Sequence, residues 1–205
     1  MTGLFTNEQP SLIDTGQLDL VAQKKGFVGP TFSLSNRLKR AAWKATWWLA
    51  ARWTPPPFCR WRIFLLRLFG AQVSWRAFVY SSVEIWAPWH LTMEDYGSMG
   101  PGVNCYNIAP VCIGKRAVVS QGAYLCTGTH DFRDPEFPLF AKPISVGRRA
   151  WVCAGAFVGP GVSVGEGAIL AAMGVAFDNL APWTIYKGNP AHSVSTRQAI
   201  NEIED

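Results

Sequence analysis

Aliphatic or small residues return every six positions through the second half of the chain. The clearest run lies between residues 144 and 181, where a compact residue also follows four places after each aliphatic one. The aliphatic positions of this run are Val146, Val152, Val158, Val164, Leu170 and Ala176. Six is a multiple of the two-residue period of a strand, so each repeat turns its aliphatic side chain to the same side. The pattern predicts an all-β solenoid of short parallel strands around an internal aliphatic column.

The ladder extends backwards, more weakly, towards the middle of the chain. Its earlier members are Val73, Val79, Ile85 and Leu91, and then Ile113, Val119 and Leu125. Met99 and Cys105 fall two positions out of phase with Leu91, which predicts a small bulge at Gly97-Ser98. The solenoid is expected over residues 71–181, and residues 182–205 are expected to form a C-terminal turn and tail.

Residues 1–70 have a different character and predict an N-terminal unit. Residues 1–32 are polar and interrupted by Gly and Pro, which indicates an irregular arm. A first helix is predicted to begin with Ser35 as its N-cap and to end before Pro55. A second helix is predicted over about Phe58 to Phe69. The apolar positions at helical spacing are Leu38, Ala41, Ala42, Ala45, Trp48 and Leu49 in the first helix, and Trp61, Phe64, Leu65 and Leu68 in the second.

Two interpretations of these helices remain open, and both can hold. The helices can cap the first coil, whose open end otherwise exposes apolar side chains and unpaired strand edges. Alternatively, their Trp and Arg residues can lie at a bilayer interface in a peripheral membrane contact. The first helix is too short and too charged to span a bilayer.

Composition narrows the class of protein. The chain has 205 residues, about one domain, with 49% hydrophobic and only 16% charged residues. This low share of charge indicates either surface that is covered by a membrane or by other subunits, or simply the large apolar column of a β-solenoid. The net charge of +5 favours anionic partners, but no nucleic-acid module accompanies it. The five cysteines show no CxxC spacing, and the first residues lack a signal-peptide pattern, so we expect reduced thiols and a cytoplasmic protein.

One segment interrupts the six-residue rhythm and follows a histidine. Residues 131–143, DFRDPEFPLFAKP, contain three prolines and begin directly after His130. A loop that leaves a regular scaffold at one place is more often functional than not. Histidine titrates near neutrality and can take a proton from an attacking hydroxyl group, which acyl transfer requires. His130 is therefore the candidate general base, although a lone histidine in a β-protein is more often structural.

Several motifs resemble a known family. The six-residue repeats, LCTGTHD at residues 125–131 and KGNPA at residues 187–191 resemble the hexapeptide-repeat acyltransferases, especially the sugar O-acetyltransferases of the maltose, galactoside and nodulation-factor type. FSLSNRLKR at residues 32–40 and YNIAPVCIG at residues 106–114 resemble the colanic acid biosynthesis acetyltransferase subgroup.

The resemblance implies a left-handed parallel β-helix with three repeats per turn, a homotrimer, and an active site between subunits. It implies that His130 deprotonates a sugar hydroxyl as this attacks acetyl-CoA, with a backbone amide near Ala154 for the oxyanion. Asn107, or Asn104 as the alternative, matches an acceptor-binding position. Asp131 is expected either to orient His130 or to be a solvated side chain.

The resemblance also implies a cofactor path along the outside of the coils, with no metal ion. The expected contacts of acetyl-CoA are Trp151, Ala154, Gly155, Ala172, Met173, Gly174, Lys187, Gly188, Asn189 and Pro190. Phe177-Asp178 departs from the Thr-Lys common in the family, which removes a phosphate contact. Lys187, Arg149 or Arg197 is the expected substitute. A tight solenoid also requires small residues at such positions without any ligand.

Three functions are weighed on this basis. The first is acetyl-CoA-dependent O-acetylation of a sugar in exopolysaccharide or surface glycan biosynthesis, the acceptor being free or lipid-linked. The second is a zinc carbonic anhydrase on the same scaffold, which needs three histidine ligands; the chain has His90, His130 and His192. The third is a non-catalytic scaffold or assembly subunit, which predicts no binding of acetyl-CoA.

Overall fold

Short parallel strands wind around a buried column and form three faces. The computed structural model describes residues 32–199, so the predicted arm at residues 1–32 lies outside this range except for Phe32. The first face contains β1 Gln72–Val73, β4 Leu91–Met93, β7 Val111–Ile113, β12 Ile144–Val146 and β15 Ser163–Val164. The second face contains β2 Phe78–Val79, β5 Ser98–Met99, β8 Val118–Val119, β13 Trp151–Val152, β16 Ile169–Leu170, β18 Thr184–Lys187 and, antiparallel at its end, β19 His192–Thr196. The third face contains β3 Glu84–Ile85, β6 Asn104–Tyr106, β9 Tyr124–Cys126, β14 Phe157–Val158 and β17 Val175–Ala176.

The aliphatic column is the one that the six-residue period predicts. Its members are buried, from Val73 at one end to Ala176 at the other. The prediction of an all-β solenoid with N-terminal α-helices is confirmed. Among the described strands, β10 Gly128–His130 and β11 Leu139–Ala141 leave the coil as an antiparallel hairpin.

The predicted bulge at Gly97-Ser98 is wrong. Ser98 pairs in register with both Phe78 and Val118. The extra residues lie earlier, at a 3-10 turn over Pro88–His90. Val73 therefore pairs with Met93, which is two residues further along than the later period predicts. The periodicity does not reveal this two-residue shift, because Leu91 and Met93 lie on one strand and both point inwards.

Two helices precede the solenoid. Helix α1 spans Leu34–Ala50, and its N-cap is Ser33, whose hydroxyl accepts a hydrogen bond from the backbone N–H of Asn36 at 3.2 Å. The prediction of Ser35 as the cap was two residues late. A 3-10 turn at Pro56–Phe58 leads into helix α2, Cys59–Leu68, close to the predicted span.

These helices cap the open end of the first coil, as one of the two interpretations predicts. Each of the three starting strands has an edge carbonyl without a preceding strand to bind it. The carbonyl of Val73 accepts a hydrogen bond from Arg67 at 2.7 Å, that of Val79 from Arg62 at 2.7 Å and that of Ile85 from Trp43 at 2.7 Å. Three side-chain donors from the helices thus satisfy one edge carbonyl on each face.

The predicted apolar stripe of α1 faces outwards, and that of α2 does so for three of its four residues. In α1 the buried residues are Asn36, Trp43 and Trp47, while Leu38, Trp48 and Leu49 are exposed. In α2, Trp61, Phe64 and Leu68 are exposed, but Leu65 is buried as predicted. Ile63, Leu66 and the fully buried Arg62 face the coil with it. The hydrophobic pattern indicates the helices but not the side that packs against the coil.

All five cysteines are free thiols, and three of them are buried. Burial raises the pKa of Cys105, Cys112, Cys126 and Cys153, which keeps these thiols protonated. Within residues 32–199, no helix has the length and hydropathy needed to cross a membrane.

Candidate active site

His130 stands at the end of the strand that leaves the third face. The β10–β11 hairpin pairs His130 with Leu139 and Gly128 with Ala141, and the backbone N–H of Asp131 donates to the carbonyl of Pro138 at 3.0 Å. Residues 131–143 are therefore part of a folded hairpin and not an open loop. The side chain of His130 is exposed at its tip.

The orientation of the imidazole is set by the backbone of this hairpin. His130 Nδ1 lies 2.6 Å from the carbonyl oxygen of Phe137, and the two rings are 6.3 Å apart. A carbonyl oxygen can only accept, so Nδ1 carries the proton in this arrangement. In the neutral imidazole, Nε2 then has a free lone pair on the side away from Phe137, and a general base needs such a lone pair to accept a proton.

Asp131 does not contact this ring. Its carboxylate accepts a hydrogen bond from the backbone N–H of Arg133 at 3.0 Å, which is a local turn. Asp131 is half-buried, and whether it orients His130 or is a solvated side chain stays a prediction. The orienting group is the Phe137 carbonyl, which sequence reasoning missed because any residue type supplies a backbone oxygen.

Asn107 has a structural role, because its side chain binds the backbone of the preceding coil. It is fully buried, its Oδ1 accepts from the N–H of Ala87 at 2.9 Å, and its Nδ2 donates to the carbonyl of Ala87 at 2.7 Å. This clamp joins the inserted residues of one coil to the next. The expectation that Asn107 meets the acceptor does not fit these contacts. Asn104, the alternative, lies half-exposed on β6 and faces outwards beside Tyr124.

Asn107→Ala is therefore expected to lower the free energy of unfolding by about 1–3 kcal/mol, because the polar groups of Ala87 lose their partner in a buried site. Asn104→Ala is the matched control and should change stability by less than about 0.5 kcal/mol. Urea unfolding followed by circular dichroism measures both. Equal stability of the two variants would contradict the clamp.

Most of the expected cofactor positions meet at one corner of the solenoid, where the chain turns from the second face to the third. We call Ala154, Gly155, Ala172, Met173 and Gly174 the small-residue corner. The backbone N–H of Met173 donates to the carbonyl of Ala154 at 2.9 Å, and that of Val175 donates to the carbonyl of Gly188 at 2.9 Å. Lys187, Gly188, Asn189 and Pro190 thus form the next layer of the same corner.

Packing alone accounts for part of this composition. Gly155 has φ +64°, and a Cβ there would lie 2.5 Å from Met173 Sδ. Ala172 and Met173 are exposed, so the outer rim of the corner is open to a ligand. Trp151 lies on the adjoining second face, 44% exposed, and its indole N–H donates to Ser120 Oγ at 2.8 Å.

Only one of the three expected substitutes for the missing phosphate contact lies at this corner. Lys187 is exposed there. Arg197 lies at a different corner, where it donates to the carbonyl oxygens of Arg149 and Gly167, and Arg149 is itself buried. Phe177 lies 5.7 Å from the ring of Phe157, and Asp178 is exposed.

The three histidines occupy separate elements. His90 Nδ1 lies 3.3 Å from the carbonyl oxygen of Asn107, His130 is on the hairpin, and His192 is on β19. In the described part of the chain, no group of three or more His, Cys, Asp or Glu side chains is placed to hold a metal ion.

A second apolar cluster, which the sequence analysis does not predict, lies outside the column and supports the hairpin. We call it the outer cluster. Its buried members are Ile108, Ala109 and Ala141, with Phe32, Trp86, Tyr106 and Leu139 packed against them. Leu139 is the strand partner of His130. The cluster therefore fixes the hairpin, and with it His130, to the coil and to the start of α1.

No model of a protein family matches the chain. A protein of Escherichia coli strain K12, named provisionally as a colanic acid biosynthesis acetyltransferase, WcaF, is 39% identical over 173 residues, which cover 84% of this chain and 92% of that protein.

Solved structures share the fold at low identity. A hexapeptide-repeat acetyltransferase of Vibrio cholerae in complex with acetyl coenzyme A has a TM-score of 0.74 at 19% identity and covers 91% of this chain and 100% of that one. A galactoside acetyltransferase in complex with coenzyme A has a TM-score of 0.72 at 16% identity and covers 82% and 86%.

The fold and its six-residue column define a hexapeptide-repeat β-solenoid. At 39% identity over most of both proteins, the chain belongs to the acetyltransferase family of WcaF. The resemblance predicted from the motifs is confirmed, as is the enzyme class.

Proposed function

We propose that the protein transfers an acetyl group from acetyl-CoA to a sugar hydroxyl, with His130 as the general base. The observation that carries the proposal is the Nδ1 contact of His130 with the Phe137 carbonyl, which leaves Nε2 as the acceptor of a proton. Acetyl-CoA would supply the acetyl group as a thioester.

In this proposal the chain itself moves one proton in each direction. Nε2 of His130 accepts the proton of the sugar hydroxyl while the new C–O bond forms. The Phe137 carbonyl, bound to Nδ1–H, stabilises the imidazolium. Nε2 then returns the proton to the leaving sulfur as the C–S bond breaks, so no acyl-enzyme is needed.

The two parts of the proposed site lie at opposite ends of one extended segment, which supports a site shared between copies. In the preceding coil the same corner is formed by the turn at Gln121 and Gly122. From this turn, β9 runs along the third face and leads into β10, which ends at His130. The outward row of the second face is apolar at Phe78, Val118, Trp151, Ile169 and Ile185. We propose that this row packs in a homotrimer, in which light scattering should find three chains.

Binding of acetyl-CoA tests the proposal first. At 100 times its Kd, a ligand adds about 2.7 kcal/mol to the folded state, so Tm should rise with acetyl-CoA and with CoA but not with zinc. Ala172→Trp fills the rim of the small-residue corner and should abolish the rise. Ala181→Trp, another exposed alanine at a different corner, should leave it intact. Absence of any rise in the wild type would favour the scaffold function, and a rise with zinc alone would favour the metalloenzyme.

The acceptor class rests on the relatives. WcaF is named for colanic acid biosynthesis, and one solved neighbour is named for galactosides. We therefore propose a sugar of an exopolysaccharide or another surface glycan, modified in the cytoplasm.

Peripheral contact of the helices with an anionic membrane is a further part of the proposal. Trp53 and Leu49 are 72% and 70% exposed, and Leu34, Leu38, Trp48, Phe58 and Leu68 are all more than half exposed. Residues 32–83 contain nine Lys and Arg and no Asp or Glu. Exposed aromatic and aliphatic side chains surrounded by cations match the interface of an anionic bilayer.

We expect the protein to sediment with vesicles of phosphatidylcholine and phosphatidylglycerol, but weakly with phosphatidylcholine alone. The double change Leu49→Glu and Trp53→Glu should abolish the sedimentation, because it places two negative charges in the contact. Val194→Glu, an exposed apolar position on β19, is the control. The membrane contact is wrong if the wild type does not sediment with vesicles. If the double substitution then also dissociates the oligomer, the surface binds a second copy of the chain.

A further inference from the structure

Two cations of α1 lie over one indole ring beside the hairpin of His130. The guanidinium carbon of Arg40 is 4.2 Å from the ring centre of Trp86 and 4.9 Å from that of Phe32. Lys44 Nζ is 5.5 Å from the same Trp86 ring. Arg40 Nε also donates to Oδ1 of the buried Asn36 at 2.9 Å, so the guanidinium is held in place.

Neither Arg40 nor Lys44 forms a hydrogen bond or an ion pair with a carboxylate of residues 32–199. The two cations are one helical turn apart, a spacing at which like charges destabilise a helix. Partial burial lowers the pKa of Arg40, the neighbouring Tyr106 opposes this effect, and Arg37 adds to it. A guanidinium stays charged under these conditions, so an anion bound here would relieve the repulsion.

The cations connect to His130 through aromatic rings. The rings of Trp86 and Tyr106 are 4.9 Å apart, and a Cβ on Gly128 would lie 3.1 Å from Tyr106 Cε1. Gly128 is two residues before His130 on the same side of β10, about 7 Å along the strand. Contacts thus run from Arg40 through Trp86 and Tyr106 to the strand of the candidate base. Both rings are half-exposed, so their uncovered parts can contact the C–H groups of a pyranose.

We infer that Arg40 and Lys44 bind a phosphate or diphosphate group attached to the acceptor sugar, while Trp86 and Tyr106 contact the sugar itself. The inference rests on the proposed function and names its substrate class: a sugar phosphate or diphosphate-linked sugar in place of a neutral free sugar. The planar fork of arginine binds phosphate oxygens in pairs. The diphosphate can belong to a sugar nucleotide or to a lipid-linked sugar, which share this chemistry.

Calorimetric titration with inorganic pyrophosphate, in the presence of saturating CoA to occupy any cofactor phosphate site, tests the inference. The wild type should bind pyrophosphate. Arg40→Gln should weaken binding at least tenfold, and Lys44→Gln, an exposed position, should weaken it severalfold without risk to the fold. Arg60→Gln removes the same charge from an exposed position on α2 and should bind like the wild type.

The outcomes separate this inference from the proposed function. A Tm rise with CoA that is equal in Arg40→Gln and the wild type, together with lost pyrophosphate binding, supports the inference. No pyrophosphate binding by the wild type, or equal binding by Arg40→Gln, overturns it while the CoA result stands. Failure of the wild type to bind CoA overturns the proposed function itself. Competition by UDP-glucose and by farnesyl diphosphate then identifies a nucleotide or a lipid as the source of the diphosphate.

Discussion

His130→Ala is expected to lower kcat by about two to four orders of magnitude, the usual contribution of a positioned general base. The change removes Nε2 as the proton acceptor, while the hairpin keeps its strand pairs and its contact with the outer cluster. Binding of acetyl-CoA, read from the rise in Tm, should therefore be unchanged. Initial rates of CoA release with a sugar acceptor measure the effect.

His192→Ala is the matched control for this substitution. His192 is exposed on β19, where it pairs with Lys187 through the backbone, so turnover should stay close to that of the wild type. Undiminished turnover in His130→Ala would remove His130 from the mechanism. A comparable loss in both variants would show that neither histidine acts as the base.

Arg62→Met is expected to lower the free energy of unfolding by about 2–4 kcal/mol, because several buried acceptors lose their charged donor at once. Arg62 donates to the carbonyl of Val79, to Thr54 Oγ1 at 2.8 Å, and to the carbonyls of Pro55 and Pro56 at 2.9 Å and 3.0 Å. It thus joins the end of α1, the proline turn and the first coil. Burial lowers the pKa of Arg62, and the neighbouring Cys59 and Tyr80 side chains oppose this effect. The carbonyl oxygens that accept from the guanidinium offset part of the cost of burying the charge.

Methionine fills a similar volume, so the loss measures the hydrogen bonds and not a cavity. Arg60→Met, on the exposed side of the same helix, should stay within about 0.5 kcal/mol of the wild type. Chemical unfolding monitored by tryptophan fluorescence compares the two. An Arg62→Met protein as stable as the Arg60→Met protein would mean that the buried guanidinium costs as much as it contributes.

The period of six predicts the solenoid because it matches the strand repeat and leaves an inward aliphatic residue in each strand. The same reasoning could not place the inserted residues near Pro88, since a shift of two keeps aliphatic side chains pointing inwards. It also missed which side of α2 carries the buried arginine. A hydrophobic pattern assigns arginine to the solvent, whereas Arg62 is inward because the first coil offers carbonyl oxygens there.

The candidate site divides in a similar way. His130 could be selected from its position at the break in the repeat, and the small-residue corner could be expected from the resemblance. The groups that hold the expected residues are backbone atoms: the Phe137 carbonyl orients His130, and the N–H and carbonyl of Ala87 bind the side chain of Asn107. Since every residue type carries these atoms, a sequence has no signal for them.

The three donors on Val73, Val79 and Ile85 have a consequence for solubility. A parallel coil that ends with free carbonyl groups on all three faces is a template on which another chain can stack and add strands. With Trp43, Arg62 and Arg67 bound there, the first coil offers an incoming strand no free acceptor at these positions. The helical cap thus acts as a terminator of growth, and a protein that lost it would be at risk of assembling end to end into fibres.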